Sequence, residues 1–343
     1  MVVTGGAVPM QPRVQLSPAG AAQVTVSASG AMALVGSANE ARELVWLTRQ
    51  GQREPAALGA RRFRPWYPGL TLSPDGTRAA VLIDSDAGTD IWVATFASKT
   101  LTRMTFDGSS VSPAWTPDGR RICFTTGAEA FCQAADGSGK PVSLFKSPNV
   151  NFLEFSPDGS RLVLTVGGAY RNGEDIMIAT LGPPLEVRPL LNTAHQENWP
   201  AISPDGRWIA YTSNESGRVE VYVRPFPGTD RGRWQVSIDG GAMPRWAKDG
   251  RELIFRRGPS NIMSNLMAQF WVSAIQPGAS FVAAAPTQLA LAKAPTSNDY
   301  DVAADGRLLV HTPAGGTDTE ASLSRIVVVQ NWFQELKRLV PTR

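Results

Sequence analysis

Histidine and cysteine are nearly missing from this sequence, with two of each among 343 residues. A structural zinc site draws four ligands from these two residue types, so their scarcity and the spacing of Cys123 and Cys132 exclude one. The cysteines stand on the two sides of a short turn. A cross-strand disulfide is conceivable there, but two buried free thiols are the more ordinary reading. Charge is sparse as well: Asp, Glu, Lys and Arg make up 18% of the chain and sum to +3. The basic residues are scattered, so neither nucleic acid nor an anionic membrane is an expected partner. No window approaches the ~18 apolar residues that a membrane span needs. The opening Met1-Val-Val-Thr-Gly-Gly-Ala-Val-Pro-Met10 has neither the basic start nor the apolar stretch of an export signal.

What the chain does have is turns: 32 Gly and 26 Pro, together with 43% hydrophobic residues. This composition favours an all-β fold with a substantial core. The turns repeat. Leu72-Ser-Pro-Asp-Gly76, Trp115-Thr-Pro-Asp-Gly119, Phe155-Ser-Pro-Asp-Gly159 and Ile202-Ser-Pro-Asp-Gly206 are close copies. Trp246-Ala-Lys-Asp-Gly250 and Val302-Ala-Ala-Asp-Gly306 are weaker ones, and Val26-Ser-Ala-Ser-Gly30 is a seventh. Spacings of about 40–56 residues suit a four-stranded, WD40-like propeller blade.

The chemistry of the motif explains its recurrence. Proline presets φ at the first corner, the Asp carboxylate accepts backbone N–H groups, and glycine takes the left-handed conformation that closes the turn. Apolar strands follow each turn, such as Arg121-Ile-Cys-Phe124 and Arg161-Leu-Val-Leu164. A third strand follows at a regular offset: Leu44–Leu47, Asp90–Val93, Asp175–Ile178, Glu220–Val223 and residues 325–329. Its leading Asp or Glu is placed to cap free N–H groups. One blade cannot bury both its faces, so a closed ring is expected. The expectation is a single β-propeller domain over 1–343, with seven blades by motif count and six as the alternative. An N-terminal strand at 7–10 would close the last blade, and residues 331–339 would form a short amphipathic helix.

The Ser-Pro-Asp-Gly turn followed by an Asp-Ile-Trp-type strand resembles the TolB-like propeller repeat over nearly the whole chain. Tyr211-Thr-Ser-Asn-Glu-Ser-Gly-Arg218, Val221-Tyr-Val-Arg-Pro-Phe-Pro-Gly228 and Asn331-Trp-Phe-Gln-Glu-Leu336 resemble more narrowly the C-terminal sensor propellers of bacterial Ser/Thr protein kinases. TolB-like propellers are grouped as six-bladed, from which a count of seven departs. The sequence has no Gly-rich nucleotide loop, His-Arg-Asp or Asp-Phe-Gly, so kinase activity does not carry over. A complete chain would be cytoplasmic. A fragment of a membrane-anchored kinase would lie outside the cytoplasm.

No Gly-x-Ser-x-Gly elbow or His-Glu-x-x-His motif occurs, and no cofactor or metal is expected. Asp136-Gly-Ser-Gly-Lys140 lacks the spacing of a phosphate loop and reads as a hairpin. Asp84, Asp86 and Asp90 surround a glycine in loose imitation of a calcium loop, but without its distal Glu the stretch reads as an ordinary inter-strand hairpin. The loops that lead into the inner strands should line one mouth of the ring. They supply the candidate ligand-binding residues Arg62, Arg64, Trp66, Tyr67, His195, Asn198 and Trp199, a composition suited to recognition. The plainer role of the aromatic members is packing between blades, and that of His195 is a polar loop residue. The expected function is therefore non-catalytic binding or sensing of a protein, peptide or small ligand by a monomer. A lyase or hydrolase acting on a sugar or lactone in the central channel is the alternative.

Overall fold

The turn motif builds itself from its own polar atoms. In the first strong copy, the Ser73 hydroxyl donates to Asp75 and accepts the Arg78 N–H, while Asp75 also accepts the Thr77 N–H at 3.0 Å. The same network recurs around Asp118, Asp158 and Asp205. The weaker copies have Ala247 and Ala303 where the hydroxyl would be, yet keep the Asp-to-backbone bond at Arg251 and Arg307. Each motif glycine has φ between +66° and +84°, a region that costs any side chain energy.

The computed structural model describes residues 24–35, 41–64, 68–147, 149–167, 174–257, 269–289, 299–314, 326–332 and 334. Two compact units emerge, one of residues 41–316 and one of residues 1–40 with 317–343. The larger unit holds six antiparallel sheets. Blade 1 comprises Leu70–Leu72, Arg78–Ser85, Gly88–Thr95 and Thr100–Arg103. Blade 2 comprises Val111–Trp115, Arg121–Thr125, Glu129–Ala134 and Val142–Lys146. Blade 3 comprises Val150–Phe155, Arg161–Val166, Asp175–Thr180 and Glu186–Leu191. Blade 4 comprises Glu197–Ile202, Trp208–Ser213, Glu220–Pro225 and Trp234–Gln235. Blade 5 comprises Ala242–Trp246, Glu252–Arg257 and Gln269–Gln276, edged by the short Val282–Ala283 and Thr287–Gln288. Blade 6 joins Tyr300–Val302 and Leu308–Pro313 to Arg42–Leu47 and Arg53–Pro55 from the other end of the chain. Inner strands of successive blades are neighbours all the way round, and blade 6 meets blade 1, so the ring is closed.

The ring has six blades, and the expectation of seven is corrected. The hairpin of the last turn takes its third and fourth strands from residues 42–55. The hairpin of the first turn, Val24–Val26 with Met32–Val35, pairs with Ile326–Val329 in a separate three-stranded sheet. The strand expected at 7–10 lies outside the described residues. The C-terminal helix expected over 331–339 is not supported: of that stretch only 331, 332 and 334 are described, where the Asn331 carbonyl accepts the Gln334 N–H in a single helical turn.

Packing follows the alternation. Each inter-blade layer is filled by aliphatic and aromatic side chains facing one another, as where Ile176, Ile178 and Val163 of blade 3 meet Ile209, Tyr211 and Tyr222 of blade 4. Two of the leading carboxylates of the third strands, Asp90 and Glu220, cap N–H groups in a repeated latch. Buried Asp90 accepts from the Thr105 hydroxyl at 3.1 Å, the Gly108 N–H at 3.2 Å and Arg103 at 2.6 Å, and Thr105 accepts the Ile91 N–H. Glu220 repeats this with the Ser237 hydroxyl, the Gly240 N–H and Arg218, and Ser237 accepts the Val221 N–H.

Cys123 and Cys132 are joined. They face each other across an antiparallel pair with Cα atoms 4.0 Å apart, which overturns the free-thiol reading. The Asp136–Lys140 stretch is the expected hairpin between Glu129–Ala134 and Val142–Lys146.

Candidate functional site

One position repeats around the inside of the ring: the residue two before each turn Ser, Thr or Ala. In blade order it is Thr71, Ala114, Glu154, Ala201, Arg245 and Asp301. All six line a central cavity of about 370 Å³. Three are small or neutral and leave room. Three are charged, and they fall in blades 3, 5 and 6.

The two carboxylates do the same structural job. Glu154 accepts the N–H of Ile202 at 2.8 Å, and Asp301 accepts that of Leu72 at 2.7 Å. Each therefore holds the residue before the next blade's turn. Asp299, buried behind them, accepts the N–H of Gly69. Arg245 is different. Its guanidinium donates to the carbonyl of its neighbour Pro244 and lies 5.6 Å from the Phe152 ring centre. Among the described residues no carboxylate lies within ion-pair distance of it.

Electrostatics follow from burial. Desolvation raises Glu154 to about 7, although Arg245 pulls it down, and raises Asp299 to about 7 in the same way. Burial works against the charge of Arg245, but Glu154, Asp301 and Asp299 outweigh it and hold the guanidinium above its ordinary value.

The rim of this cavity is made by the motif itself. Pro74, Pro117, Pro157 and Pro204 line it, and each abuts the motif glycine of the following blade, Gly119, Gly159, Gly206 and Gly250. In blade 5 the proline position is held by Lys248, exposed at the same rim. Sequence reasoning missed Glu154, Arg245, Lys248 and Asp301. Aligning the seven turns one residue further upstream would have exposed the charged trio.

The residues selected from the loops fare differently. Arg62 donates to the Asp84 carbonyl and to Asp86 at 3.0 Å, and Arg64 lies 3.5 Å from Asp84 and donates to Thr89. The arginine loop and the calcium-like loop are thus one ion-pair cluster, each answering the charge of the other. Asp90 belongs to the latch, and among the described residues no group of acidic, His or Cys side chains is arranged to hold a metal. Trp66 and Tyr67 lie outside the described residues. His195 is exposed, with its backbone N–H on Thr193. Asn198 donates to Glu174 at 2.8 Å. Trp199 is half-buried at a bulge in the inner strand, with φ +47°. Blades 1 and 4 are three apart in a ring of six, so the two groups occupy opposite sides of that mouth. His311 is buried and stacked on Phe63, and burial drives it down to about 3, which makes it a core residue.

No protein-family model matches the chain. It is similar to the Tol-Pal system protein TolB of Francisella tularensis, at 25% identity over 172 residues, covering 48% of this chain and 39% of that protein. The chain thus spans well under half the length of the curated relatives it matches. Among solved structures, the putative TolB from Agrobacterium tumefaciens aligns with a TM-score of 0.61 at 15% identity, covering 80% of this chain and 98% of that one. Hydrazine synthase of Kuenenia stuttgartiensis aligns with a TM-score of 0.51 at 14% identity, covering 80% and 79%. The chain has a TolB-like β-propeller fold. That an enzyme shares it leaves function to the site.

Proposed function

We propose that this TolB-like propeller is a non-catalytic binding module that receives a protein partner at the turn-motif mouth of its central channel. The observation that carries this reading is the ring of Glu154, Arg245 and Asp301 beneath an apolar rim of four motif prolines. Apolar rim and polar floor are the makings of a recognition pocket. Both channel carboxylates are engaged with backbone N–H groups, which suits a rigid receptor better than proton transfer. The likeness to a protein named for the Tol-Pal system supports a protein as the partner. The resemblance to kinase sensor propellers supports a sensing role for the same mouth.

The opposite mouth is a second surface. Phe106 and Ile238 stand at the tips of the two equivalent latches, 73% and 60% exposed, on the side that carries Arg62, Arg64, His195, Asn198 and Trp199. A photo-crosslinking residue placed at Lys248, at Phe106 or at Thr100 on the outer strand of blade 1 separates the surfaces. A discrete adduct from Lys248 in living cells, absent from Thr100, is expected. Adducts from Phe106 alone would move the site to the loop mouth, and none from either would overturn the binding reading.

A further inference from the structure

We infer that the channel selects a carboxylate, presented by the partner through the turn-motif mouth and paired with Arg245. The inference rests on the binding reading above and names the chemistry of that site.

The channel holds groups of both signs, so net charge alone does not choose the ligand. Occupancy does. Glu154 and Asp301 each accept the N–H of the next blade's inner strand, and Asp299 behind them accepts another. Asp301 also accepts the N–H of Val302 at 2.7 Å. These acids brace one blade to the next, and a ligand that took their bonded oxygens would compete with the ring's own bonds. Arg245 has five N–H donors, of which one is directed to the Pro244 carbonyl. The remainder find no acceptor among the described residues, and the side chain lines the cavity. What the site lacks is an acceptor with the planar, two-oxygen geometry that a guanidinium matches, and a carboxylate supplies it.

Placement supports this. Arg245 precedes Trp246 on the inner strand of blade 5, and Lys248 takes the proline position of the same turn. A carboxylate entering over the rim meets the ammonium first and the guanidinium below it. Ala114 and Ala201, at the equivalent positions of blades 2 and 4, leave the space an entering side chain requires. Phe152 lies beneath the guanidinium and limits its movement. The carboxylate has two sources, an Asp or Glu side chain and a chain terminus, and the chemistry is shared.

The test uses four defined peptides with the 15N-labelled full chain: capped Ala-Pro-Glu-Pro-Ala, its Gln and Lys counterparts, and the Gln peptide with a free C-terminal carboxylate. The readout is the Nε–Hε resonance of Arg245, assigned from its loss in Arg245→Lys, in titrations to about 10 mM. A saturable shift with the Glu peptide or the free-acid peptide, and none with the capped Gln peptide, is expected; which of the two responds identifies the source. Arg245→Lys keeps the charge but loses the fork, and should weaken binding about tenfold, measured by calorimetry. Lys248→Gln, at the exposed rim, should weaken it by a smaller factor, which keeps the proposal testable should the Arg245 variant unfold. A saturable shift with the capped Gln peptide equal to that with the Glu peptide, tighter binding of the Lys peptide, or no shift with any of the four overturns the inference. Persistence of the Lys248-site photo-adduct in such a case would leave the binding reading standing, and loss of both would remove it.

Discussion

The indole N–H of Trp246 donates to the carbonyl of Ala201 at 2.9 Å and so ties the inner strand of blade 5 to that of blade 4. Trp115 makes the equivalent bond to Thr71, at 3.1 Å, between blades 2 and 1. Between blades 6 and 5, Tyr300 donates to the carbonyls of Met243 and Ile254. The ring is therefore held at its inner edge by directed bonds as well as by apolar packing. Trp246→Phe retains most of the ring's bulk but leaves a buried carbonyl without its donor. It should cost about 1–3 kcal/mol, measured by urea unfolding.

The latch around Asp90 gives a second prediction. Its carboxylate is buried and holds three donors, so Asp90→Ala leaves the Thr105 hydroxyl, the Gly108 N–H and Arg103 without their acceptor. A loss of about 3–5 kcal/mol is expected from breaking a buried charged network. Asp86→Ala, at the exposed end of the arginine cluster, should cost no more than about 1 kcal/mol.

Stability should depend on pH in two opposite ways. Glu154 is raised from an ordinary 4.5 to about 7, so the fold holds its proton where the unfolded chain releases it. Stability from this group is full below 4.5 and declines as pH rises towards 7. Asp158 is lowered to about 2 by its bonds to the Ser156 hydroxyl and the Ser160 N–H. Its contribution is present above 3.8 and disappears as pH falls towards 2. Glu154→Gln should flatten the decline between pH 4.5 and 7, and Asp158→Asn should weaken the acid limb. Thermal midpoints across a pH series measure both.

The Cys123–Cys132 bond closes a short loop across one strand pair. The chain-entropy estimate for a loop of this size is about 2–3 kcal/mol. Cys132→Ser should lower the urea midpoint accordingly, and reductant should do the same to the wild-type chain but leave the variant unchanged.

Much of this architecture was legible in the sequence because the turn motif is local. Ser73, Asp75 and Gly76 satisfy one another within a few residues, so their spacing alone announces a hairpin. The third strands and their capping carboxylates were readable for the same reason, since Asp90 and Glu220 meet partners about 15–20 residues away in the same blade or the loop that leaves it. The Asp84–Asp90 stretch was legible as a hairpin, but the partners of its charge were not. Its charge is answered by Arg62 and Arg64 from a separate segment, and no motif within the stretch signals them.

Blade count and site required the closed ring. Seven turns are present, but which hairpin receives Arg42–Leu47 is a contest between two chemically similar pairings. Only long-range packing decides that it joins Leu308–Pro313. The disulfide needed the register that sets Cys123 opposite Cys132. The channel charges sit at one repeat position in blades far apart in sequence, and their meaning comes from convergence on one axis. The sequence by itself determined the blade, through bonds that close within a few residues. The tertiary structure determined the number of blades, the strand exchange that seals them and the guanidinium at their centre, because those depend on residues brought together only when the ring closes.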